Sequence, residues 1–471
     1  MRKSNLIFLV ILALVFNTCT DQTQYNQGIH TDFEQIKKRG KLIAVTNFNS
    51  TDYFIYKGSP MGFQFELLKR FAEQSDLQLE LIACNDIDDV TSKLLTGKCD
   101  VIAISIPVTS AQGKYVSFTE PLMQSKQVLV QKKPDGWEKL SANEISDQLI
   151  STQLELARKT IVVQKGTAYA QRIKNISQEI GQPIDIVQVP EDPEQLIQFV
   201  AGGEINYTIC DERVARVNQK YYPQLDISMV VSFPQNLSWA VRRGSEDLLV
   251  ALDAFIKREK ANTSMAILHN KYYKNEWANA MVNSDYYTMN SGRISPYDDD
   301  IRKLSDELQW DWRLLAALIY NESSFKPSSK SHRGAYGLMQ IMPSTAEWLG
   351  SDSTRSKIPA TNMRLGVKLL KWLDKRFQTS VPDKDERAKF VLAAYNIGIG
   401  HILDAQNLTE KYHKDKSDWE EVREFLINKS QVKYYSDPIV KFGYCSGKET
   451  YSYVNEVINS YQHYKNIASL N

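Results

Sequence analysis

Cysteine and histidine are scarce in this sequence, and their spacing excludes the common metal-binding patterns. The 471 residues include five cysteines and six histidines. No two cysteines stand in CxxC spacing and no HExxH motif is present, so neither a zinc site nor any other metal or cofactor is expected. Four cysteines follow the N-terminal segment, and the sequence does not assign pairs among them: Cys84, Cys99, Cys210 and Cys445.

An excess of charge of either sign is also missing. Lysine and arginine number 57 against 56 aspartates and glutamates, which leaves a net charge of +1. Because nucleic-acid-binding proteins usually carry a clear basic excess, no nucleic-acid partner is expected. Hydrophobic residues make up 42% of the chain and charged residues 24%, which is an ordinary globular composition. At roughly 100–200 residues per domain, the length predicts two or three domains.

The N-terminal apolar run is too short to cross a membrane. It covers residues 6–16 and follows Arg2 and Lys3, whereas a transmembrane helix needs about 20 apolar residues. A positive start followed by a short apolar core is typical of a signal peptide. We therefore predict a signal peptide over residues 1–19 and export of the remainder.

Cys19 directly follows this run and resembles the acylated cysteine of bacterial lipoproteins. The three residues before Cys19 depart from the usual lipoprotein motif: Phe16 stands where leucine is common, and Thr18 stands where a small residue is common. We predict acylation of Cys19, which would anchor the protein to a membrane by its lipid, with peripheral association as the alternative. Thr20 replaces the aspartate that commonly marks inner-membrane retention, which favours the outer membrane and the periplasmic face of the envelope.

The chain divides by its periodicity into two unlike regions. Polar residues 20–40 are predicted to be a tether, and over 41–270 apolar strands alternate with amphipathic helices, which predicts a parallel α/β architecture. Residues 271–295 lack a sustained period and are predicted to be a connector, and helical periodicity dominates 296–471. The candidate strands are 42–45, 77–82, 101–106, 127–130, 160–163, 184–189, 205–210 and 237–241.

Several ordered motifs make the α/β region similar to the extracellular solute-binding proteins that recognise amino acids and related polar solutes. These motifs are GFQFEL at 62–67, GKCDVI at 97–102, SFTEP at 117–121, GT at 166–167 and GEIN at 203–206. The resemblance implies two α/β lobes around a ligand cleft, as in periplasmic binding proteins. Lobe one would comprise about 41–130 with 233–270, and lobe two about 131–232.

The same resemblance points to three cleft residues, one of which departs from the family pattern. Asp211 stands where the family places the carboxylate that binds an ammonium group, and Thr167 lies in the GT motif. The expected arginine, which would bind a ligand carboxylate through two parallel hydrogen bonds, is Gln112. Because glutamine brings no charge, the cleft is expected to bind something other than a free amino acid, such as a muropeptide, or to bind nothing. A free amino acid is kept as the alternative. Asp211 as a helix cap and Gln112 as a solvated loop residue also remain open.

Glu322 lies on the apolar face of a predicted helix. Leu315, Leu318 and Ile319 precede it at helical spacing, and Phe325 follows it. Burial among apolar groups disfavours the charged carboxylate and raises its pKa. A carboxylic acid that keeps its proton near neutral pH can protonate the leaving oxygen of a glycosidic bond. A glutamate that reaches solvent at the helix end is the alternative.

Four further motifs make residues 296–471 similar to lytic transglycosylases with a goose-type lysozyme-like fold. They are ES at 322–323, GLMQ at 337–340, AAYN at 393–396 and ET with YV at 449–454. The resemblance implies that Glu322 is the catalytic acid and base, and that the enzyme cleaves the bond between N-acetylmuramic acid and N-acetylglucosamine without water. The fold class is thus a two-lobed α/β binding-protein-like domain followed by a mainly α lysozyme-like domain.

The resemblance also implies residues that contact the glycan strand of peptidoglycan. Core packing is the alternative for Met339, Tyr395 and Tyr453, and a polar helix end is the alternative for Ser323. The predicted substrate-binding set is Ser323, Met339, Gln340, Tyr395, Asn396 and Tyr453.

Two rival functions stay open on the sequence. A hydrolytic muramidase could use the same fold, and a non-catalytic receptor could bind cell-wall fragments with both domains. The motifs around Glu322 favour the lyase. We further expect ligand in the N-terminal cleft to change the lytic activity.

Overall fold

The computed structural model describes residues 31–107, 115–274, 284–286, 292–352 and 354–468. The predicted signal peptide, Cys19 and Gln112 lie outside these residues. The described residues form an α/β domain of two lobes followed by a mainly helical domain, which confirms the predicted fold class. Within the described residues, none of the helices combines the length and apolar character needed to cross a membrane.

The α/β domain contains all the described strands and the first nine helices. The strands are β1 (Lys41–Thr46), β2 (Phe54–Tyr56), β3 (Ser59–Met61), β4 (Gln78–Ala83), β5 (Val101–Pro107), β6 (Val116–Phe118), β7 (Met123–Ser125), β8 (Gln127–Lys132), β9 (Thr160–Gln164), β10 (Asp185–Val189), β11 (Tyr207–Asp211), β12 (Leu225–Asp226) and β13 (Gln235–Arg242). The helices are α1 (Phe33–Arg39), α2 (Phe63–Gln74), α3 (Ile87–Leu95), α4 (Ala142–Ser146), α5 (Ala168–Ile180), α6 (Pro193–Gly202), α7 (Glu212–Gln219), α8 (Glu246–Ala261) and α9 (Ser264–His269).

Each lobe is built on one mixed sheet. Lobe one has the strand order β4-β1-β5-β13-β6, with β7 also paired to β13, and lobe two has the order β10-β9-β11-β8-β12. In lobe one β1 runs parallel to β4 and β5, whereas β13 is antiparallel to β5. The chain crosses between the lobes twice, from β7 to β8 and from β12 to β13. The predicted strands are present, and the parallel pairs that the strand–helix alternation predicts are joined by antiparallel pairs in both sheets.

Three predicted boundaries need correction. The first lobe ends before residue 127 rather than at 130, because β8 pairs with β11 and β12 of lobe two. Part of the predicted tether is folded: Asp32 caps α1, and Ile36 is buried in the core of lobe one. The predicted connector likewise begins with a helical turn, Asn270–Lys274, in which Tyr272 and Tyr273 are buried.

In the helical domain, the helix that carries Glu322 packs mainly against the first and last helices of that domain. Its helices are α10 (Asp298–Leu308), α11 (Trp312–Ser323), α12 (Pro343–Trp348), α13 (Pro359–Phe377), α14 (Lys384–Ile397), α15 (Ile399–Lys411), α16 (Trp419–Asn428), α17 (Val432–Tyr435) and α18 (Gly447–Ala468). Leu315, Leu318 and Ile319 on α11 are completely buried, as the predicted apolar stripe requires. The long helix α18 packs along α11 and α14.

The C-terminal half of α18 joins the two domains. Its His463 lies with Nδ1 2.8 Å from the hydroxyl of Tyr53 in lobe one, and both side chains are buried. The amide of Asn466 donates to the carbonyl of Leu81 on β4 at 2.9 Å. The hydroxyl of Tyr464 donates to the carbonyl of Gly58 at 2.9 Å. The last helix of the helical domain is therefore anchored in lobe one.

Gly58, at the tip of the β2–β3 hairpin, fits between aromatic rings of the helical domain. Its φ is +80°, and a Cβ there would lie 2.7 Å from the rings of both Phe325 and Tyr320. Only glycine combines this left-handed backbone with such a close approach at no steric cost.

Gly58→Ala tests how strongly the hairpin tip holds the domains together. We expect a loss of about 2–5 kcal/mol, because left-handed strain of about 1–2 kcal/mol adds to overpacking of about 1–3 kcal/mol. Gly136→Ala is the matched control, since Gly136 has φ +76° but open space around its Cβ position. Scanning calorimetry that finds equal melting temperatures for the two variants would contradict the predicted packing.

Candidate active site

Glu322 lies in the last turn of α11, partly buried at the end of the apolar stripe. One carboxylate oxygen, Oε1, accepts a hydrogen bond of 2.5 Å from the hydroxyl of Tyr453 on α18. The helix ends directly afterwards, because Ser324 and Phe325 both adopt left-handed backbone conformations, with φ of 49° and 59°. The turn thus presents the carboxyl group at the edge of the core.

Burial raises the pKa of Glu322 to about 7. The hydrogen bond from Tyr453 acts in the opposite direction, because it stabilises the charged carboxylate. A pKa near 7 leaves a large share of the side chain protonated at neutral pH, so the group can both give and take a proton. The sequence-based expectation of an elevated pKa thus agrees with the structure.

Two of the predicted substrate contacts have structural roles. Ser323 is buried, and its hydroxyl lies 2.8 Å from the carbonyl of Leu338 and 3.1 Å from that of Ile319. Met339 is completely buried and packs so closely on Gly366 that a Cβ there would collide with its sulfur. Both side chains point into the protein, so neither is open to a glycan strand in this structure, and their roles as glycan contacts stay predictions. They fix the GLMQ turn beside α11.

The other motif residues gather around the same turn. The amide of Gln340 donates to the carbonyl of Gly337 at 2.8 Å, and Gln340 has a left-handed backbone with φ 46°. The hydroxyl of Tyr395 donates to the carbonyl of Met339 at 2.6 Å. Asn396 is exposed, and its Oδ1 accepts a hydrogen bond of 2.8 Å from Thr450. Residues 337–340, the end of α14 and the start of α18 therefore meet near Glu322.

An open hollow of about 400 Å³ lies along the first turns of α18, on the side where Tyr453 stands. Its lining residues are Ser446, Lys448, Glu449, Ser452, Tyr453 and Glu456. Tyr453 therefore lines this hollow and also donates a hydrogen bond to Glu322.

The cleft between the N-terminal lobes is nearly closed. It encloses about 60 Å³. Glu194 of lobe two accepts hydrogen bonds from the backbone N–H of Ser50 in lobe one, at 3.1 and 3.2 Å. Asn85 of lobe one donates to Asp192 at 2.9 Å and accepts from Gln164 at 2.8 Å. These bonds hold the two lobes against each other.

Of the predicted cleft residues, Asp211 lines this cavity, and Thr167 is at the start of α5. Asp211 accepts from both the backbone N–H and Nε of Arg213 at 2.9 Å, so it caps α7 and also forms an ion pair. Thr167 donates to the carbonyl of Gln164 at 2.7 Å. Gln112 lies outside the described residues.

Sequence reasoning missed the charged groups that face the cleft beside Asp211. Arg213 is two residues further on, at the start of α7, and Asp52 and Glu194 come from the two opposing lobes. Burial raises the pKa of Asp52, and burial together with Asp192 raises that of Glu194 to about 7. In the sequence, only the position of Arg213, two residues after the predicted cleft residue Asp211, could have indicated a cation in the cleft.

Two family models match consecutive parts of the chain. The model for bacterial extracellular solute-binding proteins, family 3, matches residues 42–275. The model for the transglycosylase SLT domain matches residues 299–419, which include Glu322, Gln340 and Tyr395.

Relatives that share both domains are also found. A membrane-bound lytic murein transglycosylase F from Desulfosudis oleivorans is 32% identical over 434 residues, covering 91% of this chain and 90% of the relative. One of the same name from Aeromonas salmonicida is 29% identical, covering 92% and 84%. A crystal structure of a mutant of ArgBP from T. maritima aligns with 51% of this chain and 99% of its own, at 24% identity and TM-score 0.45.

Ser323→Ala tests the structural role of this side chain. Removing the hydroxyl leaves the carbonyl of Leu338 without its buried partner, which should lower the free energy of unfolding by about 1–3 kcal/mol. Ser452→Ala, at an exposed position on α18, should change stability by less than about 0.5 kcal/mol. Equal melting temperatures of the two variants would argue against the role of Ser323 in fixing the turn.

Proposed function

The chain belongs to the membrane-bound lytic murein transglycosylase F family, and from that membership and the geometry at Glu322 we propose that it cleaves peptidoglycan glycan strands as a lyase. The observation that carries the proposal is geometric: the partly buried Glu322 carboxyl group accepts a hydrogen bond of 2.5 Å from Tyr453. Burial also raises the pKa of Glu322 to about 7, which agrees with this role. The substrate bond is the β-1,4 linkage between N-acetylmuramic acid and N-acetylglucosamine.

Glu322 acts twice in the proposed reaction. Its carboxyl group first gives a proton to the glycosidic oxygen as the bond to the anomeric carbon breaks. The resulting carboxylate then takes the proton of the muramoyl 6-hydroxyl, whose oxygen attacks the same anomeric carbon and closes a 1,6-anhydro ring. No water is consumed, and the internal hydroxyl is already held close to the carbon that it attacks.

Tyr453 and the turn 337–340 support this double role. The Tyr453 hydroxyl donates to Glu322 at 2.5 Å, so it holds the carboxyl group in place and stabilises it after proton transfer. The hydroxyl of Tyr395 fixes the carbonyl of Met339 through a hydrogen bond. Burial raises the pKa of Tyr395, and the nearby charge of Glu322 raises it further. Gln340 and Asn396 are the motif side chains we propose as glycan contacts.

The proposed location is the periplasmic face of the outer membrane. It is supported by the apolar run at residues 6–16 and by Cys19, whose acylation would supply the anchor. Peripheral association without acylation is the alternative.

Glu322→Gln tests catalysis directly. The amide cannot supply the proton, so the release of anhydromuropeptides from purified peptidoglycan should fall by at least about 100-fold, the scale of general-acid catalysis. Mass spectrometry of the products checks the reaction type in the wild type. Unchanged release by the variant would remove Glu322 as the catalyst, and products that carry a reducing end would favour the hydrolytic alternative.

Tyr453→Phe tests the balance that sets the pKa of Glu322. Because the lost hydrogen bond stabilised the charged carboxylate, the pKa should rise above 7 by about one unit, and the alkaline decline of kcat/KM should move to higher pH accordingly. Tyr461→Phe on the same helix, whose hydroxyl donates to Asp311 instead, is the matched control. A shift in the opposite direction would refute the assignment.

We further propose that ligand in the N-terminal cleft changes the lytic rate. In the cleft, Asp52 and Asp211 offer anions for an ammonium group, and Arg213 offers a cation for a carboxylate, as an amino acid or a muropeptide would require. The loop that contributes Asp52 continues into Tyr53, which contacts His463 on α18. The same helix carries Tyr453, so a shift of this loop has a short route to Glu322.

Calorimetry with amino acids and muropeptides, run beside lysis assays, tests this coupling. The ligand that binds should change the lytic rate of the wild type, and Tyr53→Phe should bind it equally while showing a smaller change in rate. The exposed Tyr115→Phe serves as the control. Binding without any effect on the wild-type rate would refute the regulatory role.

A further inference from the structure

The segment 436–446, between α17 and α18, displays two large aromatic side chains to solvent. Phe442 is 57% exposed and Tyr444 is 61% exposed. Exposed aromatic rings of this size forfeit much of the free energy that their burial would provide. The feature that sets this segment apart is that the two rings stand only two residues apart on a backbone held by the core.

A completely buried ion pair holds this segment in place. Asp404 on α15 is 1% exposed and Lys429, just after α16, is 0% exposed, and their side chains lie 2.7 Å apart. The same carboxylate accepts the backbone N–H of Lys441 at 2.8 Å and that of Phe442 at 2.9 Å. Asp404 thus ties the backbone at Phe442 directly to the core.

This arrangement is costly for stability alone. Two charges taken out of water lose solvation that their attraction only partly restores, and an apolar pair of the same volume would often be equally stable. The carboxylate here has three donors, so its hydrogen-bonding capacity is well used. The ion pair and its hydrogen bonds therefore serve to fix one backbone conformation at Lys441 and Phe442.

The ring of Phe442 is also held at a set position. It lies on Gly400 at the start of α15, where a Cβ would come within 2.5 Å of the ring. The ring of His401 packs edge-on against it, with centroids 6.3 Å apart. Tyr444 packs edge-on against Tyr435 at 5.9 Å. Both rings therefore have one supported side and a large solvent-exposed surface.

The displayed rings are continuous with the site around Glu322. Ser446, two residues after Tyr444, lines the same open hollow as Tyr453, which contacts Glu322. Thr450, four residues further on, donates to Asn396 at 2.8 Å. Gly400, beneath Phe442, is four residues from Asn396. The segment therefore adjoins the elements that carry Asn396 and Tyr453, the two side chains proposed to act beside Glu322.

We propose that Phe442 and Tyr444 form a glycan-binding face that holds the sugar strand beside Glu322, and that Asp404 is its positioning residue. The occupant is a polymer of pyranose rings, whose C–H faces are apolar and pack on aromatic rings while their hydroxyls stay in water. Continuity with the hollow at Tyr453 favours this occupant over a protein partner. The proposal rests on the proposed lyase function and adds the residues that determine how firmly the strand is held.

The test is the steady-state kinetics of the double variant Phe442→Ala/Tyr444→Ala on purified peptidoglycan. Tyr115→Ala is the control, because Tyr115 is an aromatic residue of lobe one with a similar exposure of 55%. We expect the double variant to raise KM about tenfold with kcat within about twofold of the wild type. Because each ring is packed on one side, a small fall in melting temperature is expected, and the assays are run well below it. Tyr115→Ala should leave both constants unchanged.

Sedimentation with insoluble peptidoglycan in the Glu322→Gln background separates binding from turnover. The aromatic double variant should bind more weakly than Glu322→Gln alone. If the wild type shows no turnover, the proposed function fails. If the wild type turns over but the double variant keeps its KM and its sedimentation, the glycan-binding face alone is refuted. An effect confined to kcat would also overturn it.

Asp404→Asn tests the positioning role. This substitution should raise KM. In the variant that lacks both aromatic rings, the same substitution should raise KM little further, because Asp404 acts through those rings; a double-mutant cycle measures this. A merely structural residue would instead lower stability and activity equally in both backgrounds. An additive effect on KM would overturn the positioning role, and a variant that fails to fold leaves the aromatic pair to decide the proposal.

Discussion

The hydrogen bond between Tyr453 and Glu322 is the interaction on which the proposed catalytic site depends. Burial alone would favour the protonated carboxyl group, and a fully solvated site would keep it charged. The 2.5 Å bond from Tyr453 opposes the effect of burial and leaves the pKa of Glu322 at about 7. One carboxyl group can then give a proton in the first half of the reaction and take one in the second.

Helix α18 links this hydrogen bond to both domains. Its N-terminal half carries Tyr453, and its C-terminal half carries His463 and Asn466, which are anchored in lobe one. The position of Tyr453 therefore depends on the binding domain as well as on the helical core. The same helix therefore contacts both the proposed catalytic carboxyl group and lobe one, which is the physical basis of the proposed coupling.

Local patterns predicted much of this structure, and the remaining features depend on long-range contacts. Alternation and helical spacing located the main strands and placed Glu322 on an apolar face. The same pattern could not separate a groove residue from a core residue, so Ser323 and Met339 were assigned to the substrate although both are buried. The pairing of Glu322 with Tyr453, and the role of Arg213 in the cleft, arise only when distant segments fold together.

The central claim is that the chain breaks the glycan strand by internal attack rather than by water. Digesting peptidoglycan in water enriched in heavy oxygen, followed by mass spectrometry of the new chain ends, tests it most directly. The proposed mechanism predicts anhydromuramoyl ends without the heavy isotope. Heavy oxygen at the anomeric position of the freshly formed ends would show that water attacked, and it would contradict the lyase mechanism.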